Sequence, residues 1–485
     1  MNIYSLSAFL LYFAILLAIG IACHTKQRSS ADFVMGNRSL NFWLVALSAH
    51  ASDMSAWLFM GLPMVVFLSG LPQVWIVLGL TIGMFLNWHY VAPALRTQTE
   101  KYGCYTLSSF FEKRFNDSLG VIRIVSAIMF LLFLTHYLSA GMIGIGTLLE
   151  ALFGINYYFG IIIALVIVVI YTLIGGYTTV AWTDLFQGLF LLVMILIVPL
   201  LALTKIESID QIALIAHAKQ IPLTLLPDNH PLTVLNTLLL ALSWGVGYFG
   251  MPHVITKFMG IKDVSDMHKS KWLGMSWQTL TLGAAVLIGL VGIAYFPDGL
   301  ENPQMIFVEM VKSLFHPFIG GFILCGVIAA SMSTMDSQIL VCASVLSEDL
   351  YPQICKKAPS SLSRLKASRI GVILISLIAL LLSLNKSTTI MDTVSYSWYG
   401  LGSSFGPVVL CALYSKKANK YGAMAGIVSG GLIVMVWPYL NPLITNYPIQ
   451  SMVPGFFLSL LIIHVVSYIT REASEPGARS QESGV

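Results

Sequence analysis

Leu47-Ser48-Ala49-His50-Ala51-Ser52-Asp53-Met54-Ser55-Ala56-Trp57 stands inside an apolar stretch that covers residues 40–68. That stretch is long enough to cross a bilayer. A carboxylate near the middle of a membrane helix costs roughly 2.5–3.5 kcal/mol on insertion scales, so its presence marks a substrate or ion path. The neighbours of Asp53 are small or hydroxylic, and Gly61 and Pro63 follow. A helix of this make-up is expected to open locally and turn carbonyl oxygens toward an ion.

The rest of the chain has the composition such a helix needs around it. Of 485 residues, 57% are hydrophobic and 10% charged, with mean hydropathy +0.83. Soluble domains carry about 25% charged residues. The reading is an all-α polytopic membrane protein: one transmembrane domain over residues 1–470 and a short cytoplasmic tail over 471–485. The six cysteines are scattered with no Cys-x-x-Cys pair, so neither a disulfide framework nor a zinc site is implied.

About thirteen spans are expected, over residues 4–22, 40–69, 72–95, 122–149, 156–175, 184–204, 233–256, 273–296, 316–346, 370–385, 391–414, 421–440 and 451–470. The first has no basic residue ahead of it and no small-residue cleavage signature, so it is read as a retained helix. Lys and Arg placement tests the count, because cytoplasmic loops collect positive charge. One set of alternate loops, which includes Lys26, Arg38, Arg96, Arg123, Lys257, Lys262, Lys366 and Lys417, holds 22 of the 26 basic residues. The other set holds only Lys205, Lys219, Lys312 and Lys386. This places the N-terminus outside and the C-terminus inside. It gives the basic runs a topological role and no nucleic-acid role.

The seventh span is interrupted much like the second. It reads Leu242-Ser243-Trp244-Gly245-Val246-Gly247-Tyr248-Phe249-Gly250-Met251-Pro252-His253. Glycine and proline at this density are costly to a continuous helix. Two broken helices five spans apart point to a transporter built from inverted repeats with a mid-membrane binding site. A third polar patch lies in the ninth span, at Ser331-Met332-Ser333-Thr334-Met335-Asp336-Ser337. Ser333, Asp336 and Ser337 are spaced to share one helix face. Hard cations take oxygen ligands, so these hydroxyls and the freed carbonyls of the second span are a candidate sodium site.

The chain resembles the sodium/solute symporter family, and within it the proline-transporting branch. The resemblance rests on Ser52-Asp53-Met54-Ser55, on Gly175-Gly-Tyr-Thr-Thr-Val-Ala-Trp-Thr-Asp184, on Trp244-Gly-Val-Gly-Tyr248-Phe-Gly250 and on Met332-Ser-Thr334. It runs from Ala31-Asp32-Phe33 to Phe405-Gly406-Pro407-Val408. It implies a leucine-transporter-like core of two inverted five-helix repeats, roughly residues 40–414, with broken second and seventh spans.

By the same resemblance, the sodium site uses carbonyls of Ala51, Met54 and Ala330 and hydroxyls of Ser333 and Thr334. Asp53 and Ser55 would serve sodium coupling. Asp184 would lie near an ion exit path or a second ion site, unless Thr183 and Asp184 merely cap a helix start. Asp336 and Ser337 are further candidates for that second site. Trp57, Tyr137, Trp244, Tyr248 and Pro252 would line the solute pocket, where aromatic faces suit a pyrrolidine ring.

Three departures stand out. Met251 replaces an expected glutamine, His50 replaces a smaller residue, and Asp336 replaces a hydroxyl residue.

The expected function is sodium-coupled symport of L-proline by alternating access, with sodium as the co-transported ion. The chain is not read as an enzyme, and neither a nucleic acid nor an obligate protein partner is implied beyond the lipid bilayer. Another small solute of the family, such as a different amino acid or a carboxylate, remains open. So does proton coupling through Asp53, Asp184 and Asp336. Outside the class, paired aspartates would also suit a membrane receptor or an intramembrane aspartyl enzyme.

Overall fold

The structure is a computed structural model and describes residues 3–23, 30–228, 230–355, 359–386 and 388–474. Lys26, Arg28, Lys356, Lys357, Arg479 and tail residues 475–485 lie outside the described residues, as does the side chain of Arg471.

Among the described residues, ten helices are long and apolar enough to cross a membrane, or eleven when one bent pair is counted as a span. Thirteen were expected. The two shortfalls are still helices. The stretch from Tyr157 is apolar and helical up to Gly176, where the chain kinks with a φ of +66° that glycine adopts readily. Ile390–Tyr414 is long but carries many hydroxyls, and most of it is buried among other helices. It therefore fails an apolarity test while facing protein instead of lipid.

The bent pair is Phe42–Ala51 with Ala56–Ser69, whose axes differ by 70°. Asn41 starts the first half by accepting the Leu44 amide at 3.0 Å. The half ends when the amides of Asp53 and Met54 both fall on the His50 carbonyl, each at 3.2 Å. Ser55 is then extended, with φ −83° and ψ −163°. Pro63 sits in the first turn of the restarted helix Gly61–Ser69, where it removes no hydrogen bond.

The second break lies in the seventh span. Helix Pro231–Gly247 tightens at Tyr248–Gly250, Met251 is extended, and Pro252–Met259 restarts with proline at its first position. A residue before proline is pushed out of the helical region, so Met251 marks the break. The glycines read as breakers have another duty. Gly245 faces the backbone of Gly79, and Gly247 lies under Trp398, both too close for a Cβ. They let helices approach, as small residues do in membrane bundles.

The two broken spans are tied at one end. The Leu40 amide donates to the Gly260 carbonyl at 3.1 Å, and the Lys262 amide donates to the Leu40 carbonyl at 2.8 Å. Arg96 closes the same corner with Nε on the Ile261 carbonyl at 2.8 Å. The helix Pro317–Ser344 runs through the centre: in its most apolar window 83% of residues are buried, against 33% for the peripheral first helix.

Candidate functional site

Three polar clusters meet at the first break. The first joins it to the central helix. Ser333 donates its hydroxyl to the Ala51 carbonyl at 2.8 Å and lies 3.1 Å from the Ala330 carbonyl. Thr334 donates to the same Ala330 carbonyl at 3.1 Å. Three hydrogen bonds thus link four of the five expected sodium ligands, one of them crossing between the two helices. Met54, the fifth, is fully buried in the unwound segment three residues past Ala51. An all-oxygen set of two hydroxyls and two carbonyls suits a hard cation.

The second cluster surrounds Asp184. Ser48 donates to its Oδ2 at 2.6 Å, and Ser52 lies 3.3 Å from the same atom. The Lys257 ammonium sits 3.0 Å from that oxygen, and both members of this ion pair are almost wholly buried. Ser52 also meets Ser337 at 2.8 Å, which links the cluster to the central helix. Asp184 lies within the helix Gly176–Leu203 and not at its start, so the capping alternative is excluded. The helix begins earlier because Gly176, not Thr183, makes the turn.

Asp336 was expected beside Ser333 and Ser337. The hydrogen bonds divide the three. Ser333 reaches Ala51, Ser337 reaches Ser52, and Asp336 accepts from Thr172 at 2.8 Å on the helix before Gly176. A stripe of one hundred-odd degrees on a buried helix touches several neighbours, so sharing a face does not mean sharing a ligand.

The third cluster is aromatic. Tyr248 donates its phenol to Asp53 Oδ2, and Gln278 donates to the Tyr248 oxygen at 3.3 Å. Trp57 donates its indole N–H to the Asp53 carbonyl at 3.3 Å. The Trp57 ring lies 6.1 Å from that of Trp244, which lies 5.8 Å from Trp398. Tyr248 meets Trp398 edge-on at 5.0 Å. Tyr137 stands edge-on to His253 at 5.5 Å, next to Pro252. All five aromatics are at most 2% exposed. Four of the five expected pocket residues, Trp57, Tyr137, Trp244 and Tyr248, therefore lie in one buried patch bounded by both breaks.

Pro252 lies on the boundary of that patch. It also lines a narrow cleft of about 30 Å³, with Tyr105, Thr106, Tyr177, Lys257 and Ser337. That is room for a water or two. Ser55 is buried at the break, and its hydroxyl has no hydrogen-bond partner among the described residues. His50 proves a core residue: its Nε2 accepts the Trp88 indole N–H at 3.0 Å, and its ring packs near Trp277. Met251 is wholly buried at the second break.

The residue that the sequence reading missed is Lys257. It was counted among the loop lysines, yet it lies inside Pro252–Met259 and is 2% exposed. A signal was present, because Lys257 stands alone among Val254, Ile255, Phe258 and Met259, unlike the clustered loop lysines. Its partner is 73 positions away and was not readable.

The chain matches the sodium:solute symporter family over residues 33–430. It is 38% identical to the osmoregulated proline transporter OpuE of Bacillus subtilis, across 97% of this chain and 95% of that one. Identity to the high-affinity proline transporter PutP of Bacillus subtilis is 39%, across 95% and 97%. A sodium/proline symporter of Staphylococcus aureus is 39% identical, across 96% and 92%. Among solved structures, the substrate-bound outward-open state of a sodium-coupled sialic acid symporter superposes with TM-score 0.81 at 17% identity, across 96% and 98%. Mhp1, a nucleobase-cation-symport-1 family transporter, gives 0.59 at 16% identity, across 93% and 96%. At such identities these two matches speak for the shared fold, that of leucine-transporter-like symporters.

Proposed function

The chain belongs to the sodium:solute symporter family, and we propose that it is a secondary active transporter that carries L-proline into the cell with sodium. It is a multi-pass membrane protein and not an enzyme. The proline reading rests on relatives named as proline transporters that align with nearly the whole chain. The observation that carries the sodium reading is the Ser333 hydroxyl on the Ala51 carbonyl, which joins the central helix to the first break.

Sodium enters between those two helices and takes the carbonyls of Ala51, Met54 and Ala330 and the hydroxyls of Ser333 and Thr334. Each hydroxyl then turns its lone pairs to the ion and gives up its carbonyl. The ion draws the first break against the central helix. Asp53 is anchored to that break and holds the Tyr248 phenol, so the ion's arrival is transmitted to the aromatic patch. Trp57, Trp244 and Tyr248 cover the apolar ring of proline. Polar groups freed at the two breaks meet its ammonium and carboxylate.

The basic loops lie in the cytoplasm, with the N-terminus outside and the C-terminus inside. The cleft past Tyr105 and Thr106 adjoins the basic segment 96–123 and serves as the inner path. A sodium ion crossing ~100 mV gains about 2.3 kcal/mol. A tenfold gradient adds about 1.4 kcal/mol, so one sodium supports roughly a few-hundred-fold accumulation of a neutral zwitterion.

The test is uptake of radiolabelled proline into vesicles with an imposed sodium gradient, with unlabelled amino acids and carboxylates as competitors. Uptake that persists when sodium is replaced at fixed pH refutes the coupling. Uptake that proline fails to compete refutes the solute.

A further inference from the structure

Lys257 holds a position that the symport cycle as described does not use. Its ammonium is buried 3.0 Å from Asp184 Oδ2, and its carbonyl lies 3.3 Å from the Tyr177 hydroxyl, whose ring centroid is 5.3 Å from Nζ. Around the same carboxylate stand the hydroxyls of Ser48 and Ser52, with Ser337 one hydrogen bond further on. These are oxygen donors that a hard cation would accept. Asp184 Oδ1 and Asp336 Oδ2 are buried with no hydrogen-bond partner among the described residues. Asp336 lies within electrostatic reach of both Asp184 and Lys257. Lys257 and Ser337 both line the inner cleft, so an ion has a way in.

We propose that the Lys257 ammonium is a tethered cation that fills the Asp184 site in place of a second sodium, and so holds the stoichiometry at one sodium per solute. An ammonium is a compact point charge on a flexible stem with three donors. It supplies the carboxylate's counter-charge permanently, at no cost in gradient. Placed on the restarted half of the second broken span, it also keeps that half against the helix Gly176–Leu203 in either access state. Removing the charge while keeping the length leaves a carboxylate and a ring of hydroxyls that a free sodium can enter.

The inference rests on the sodium–proline reading. Wild-type uptake in the same proteoliposomes tests that reading separately, because it is measured before any stoichiometry is read. Three variants are compared: K257M, K257R and the double variant D184N/K257M. The readouts are the Hill coefficient for sodium and the proline gradient that balances a fixed sodium gradient.

In K257M the Hill coefficient rises from near one to near two, and the balanced proline ratio approaches the square of the wild-type ratio. K257R and D184N/K257M stay near one. A purely structural ion pair would lower activity without moving either readout. Transport by K257M with a coefficient of one overturns the proposal. Should K257M not transport, sodium binding to the purified variant decides: binding of two sodium ions by K257M against one by D184N/K257M supports the assignment, and one by both overturns it.

Discussion

Asp53 and Asp184 are both fully buried carboxylates on the same first broken span and its neighbour, and their charges are met differently. Asp184 has a permanent ammonium, one close hydroxyl and a second at longer range on a single oxygen. Asp53 has one phenol, and its other oxygen has no partner among the described residues. A buried charge without a counter-charge is expensive unless something mobile supplies one. Under the proposed sodium symport, this contrast gives Asp184 a static role and Asp53 a sodium-responsive one. It also explains why the two sites lie so close without being redundant: Ser52 belongs to the Asp184 cluster, and the next residue belongs to the aromatic one.

The largest effect that tests this contrast is Asp184→Asn. It strands the Lys257 ammonium, and breaking a buried pair from one side costs about 3–5 kcal/mol. Purified protein should melt well below the wild type even in saturating sodium, since sodium cannot neutralise an ammonium. Unchanged melting would remove the static role.

Asp53→Asn comes next. It keeps an acceptor for Tyr248 but loses the charge, and a hydrogen bond to a charged group contributes about 1.5–3 kcal/mol, so sodium-driven uptake should fall roughly ten- to a hundred-fold. Asp53→Glu should keep part of it. Near-normal uptake in Asp53→Asn, at normal membrane abundance, would make Asp53 as static as Asp184.

Ser333→Ala deletes one oxygen from the proposed shell of five. Half-saturating sodium should rise about tenfold while solute preference is kept, as read from sodium activation curves. An unchanged curve would place the ion elsewhere. Tyr248→Phe removes the phenol from Asp53, and losing a hydrogen bond of about 0.5–1.5 kcal/mol should raise half-saturating sodium and proline together, by roughly three- to tenfold. A change in proline alone would separate the aromatic patch from the carboxylate. The smallest effect is expected for Met251→Gln, which adds an amide at the second break. Half-saturating proline should fall about two- to fourfold if one extra hydrogen bond forms.

The candidate site was partly legible because its parts are short-range patterns. Ser52-Asp53-Met54-Ser55 in an apolar run and Ser333-Thr334 on a helix each carry their own signal, and the structure brings Ser333 and Thr334 against Ala51 and Ala330. Gly245 and Gly247 were legible as unusual but misread in kind, since close approach to Gly79 and Trp398 is not visible from one helix. Ile390–Tyr414 was read as an ordinary span, although its hydroxyls fit it for burial in protein. The alternation of basic loops survives the transfer of Lys257 to the interior, because one lysine among 26 basic residues does not change the bias.

By itself the sequence determined the solvent of this protein, the order of its apolar spans and the two places where helices open. Those follow from hydropathy, Gly and Pro, which act over a few residues. Only the tertiary structure decided which carboxylate meets which partner. Tyr248 reaches Asp53 across 195 positions, and Lys257 reaches Asp184 across 73. In a membrane interior each buried charge must find its counterpart through packing, and packing joins residues that sequence distance does not relate.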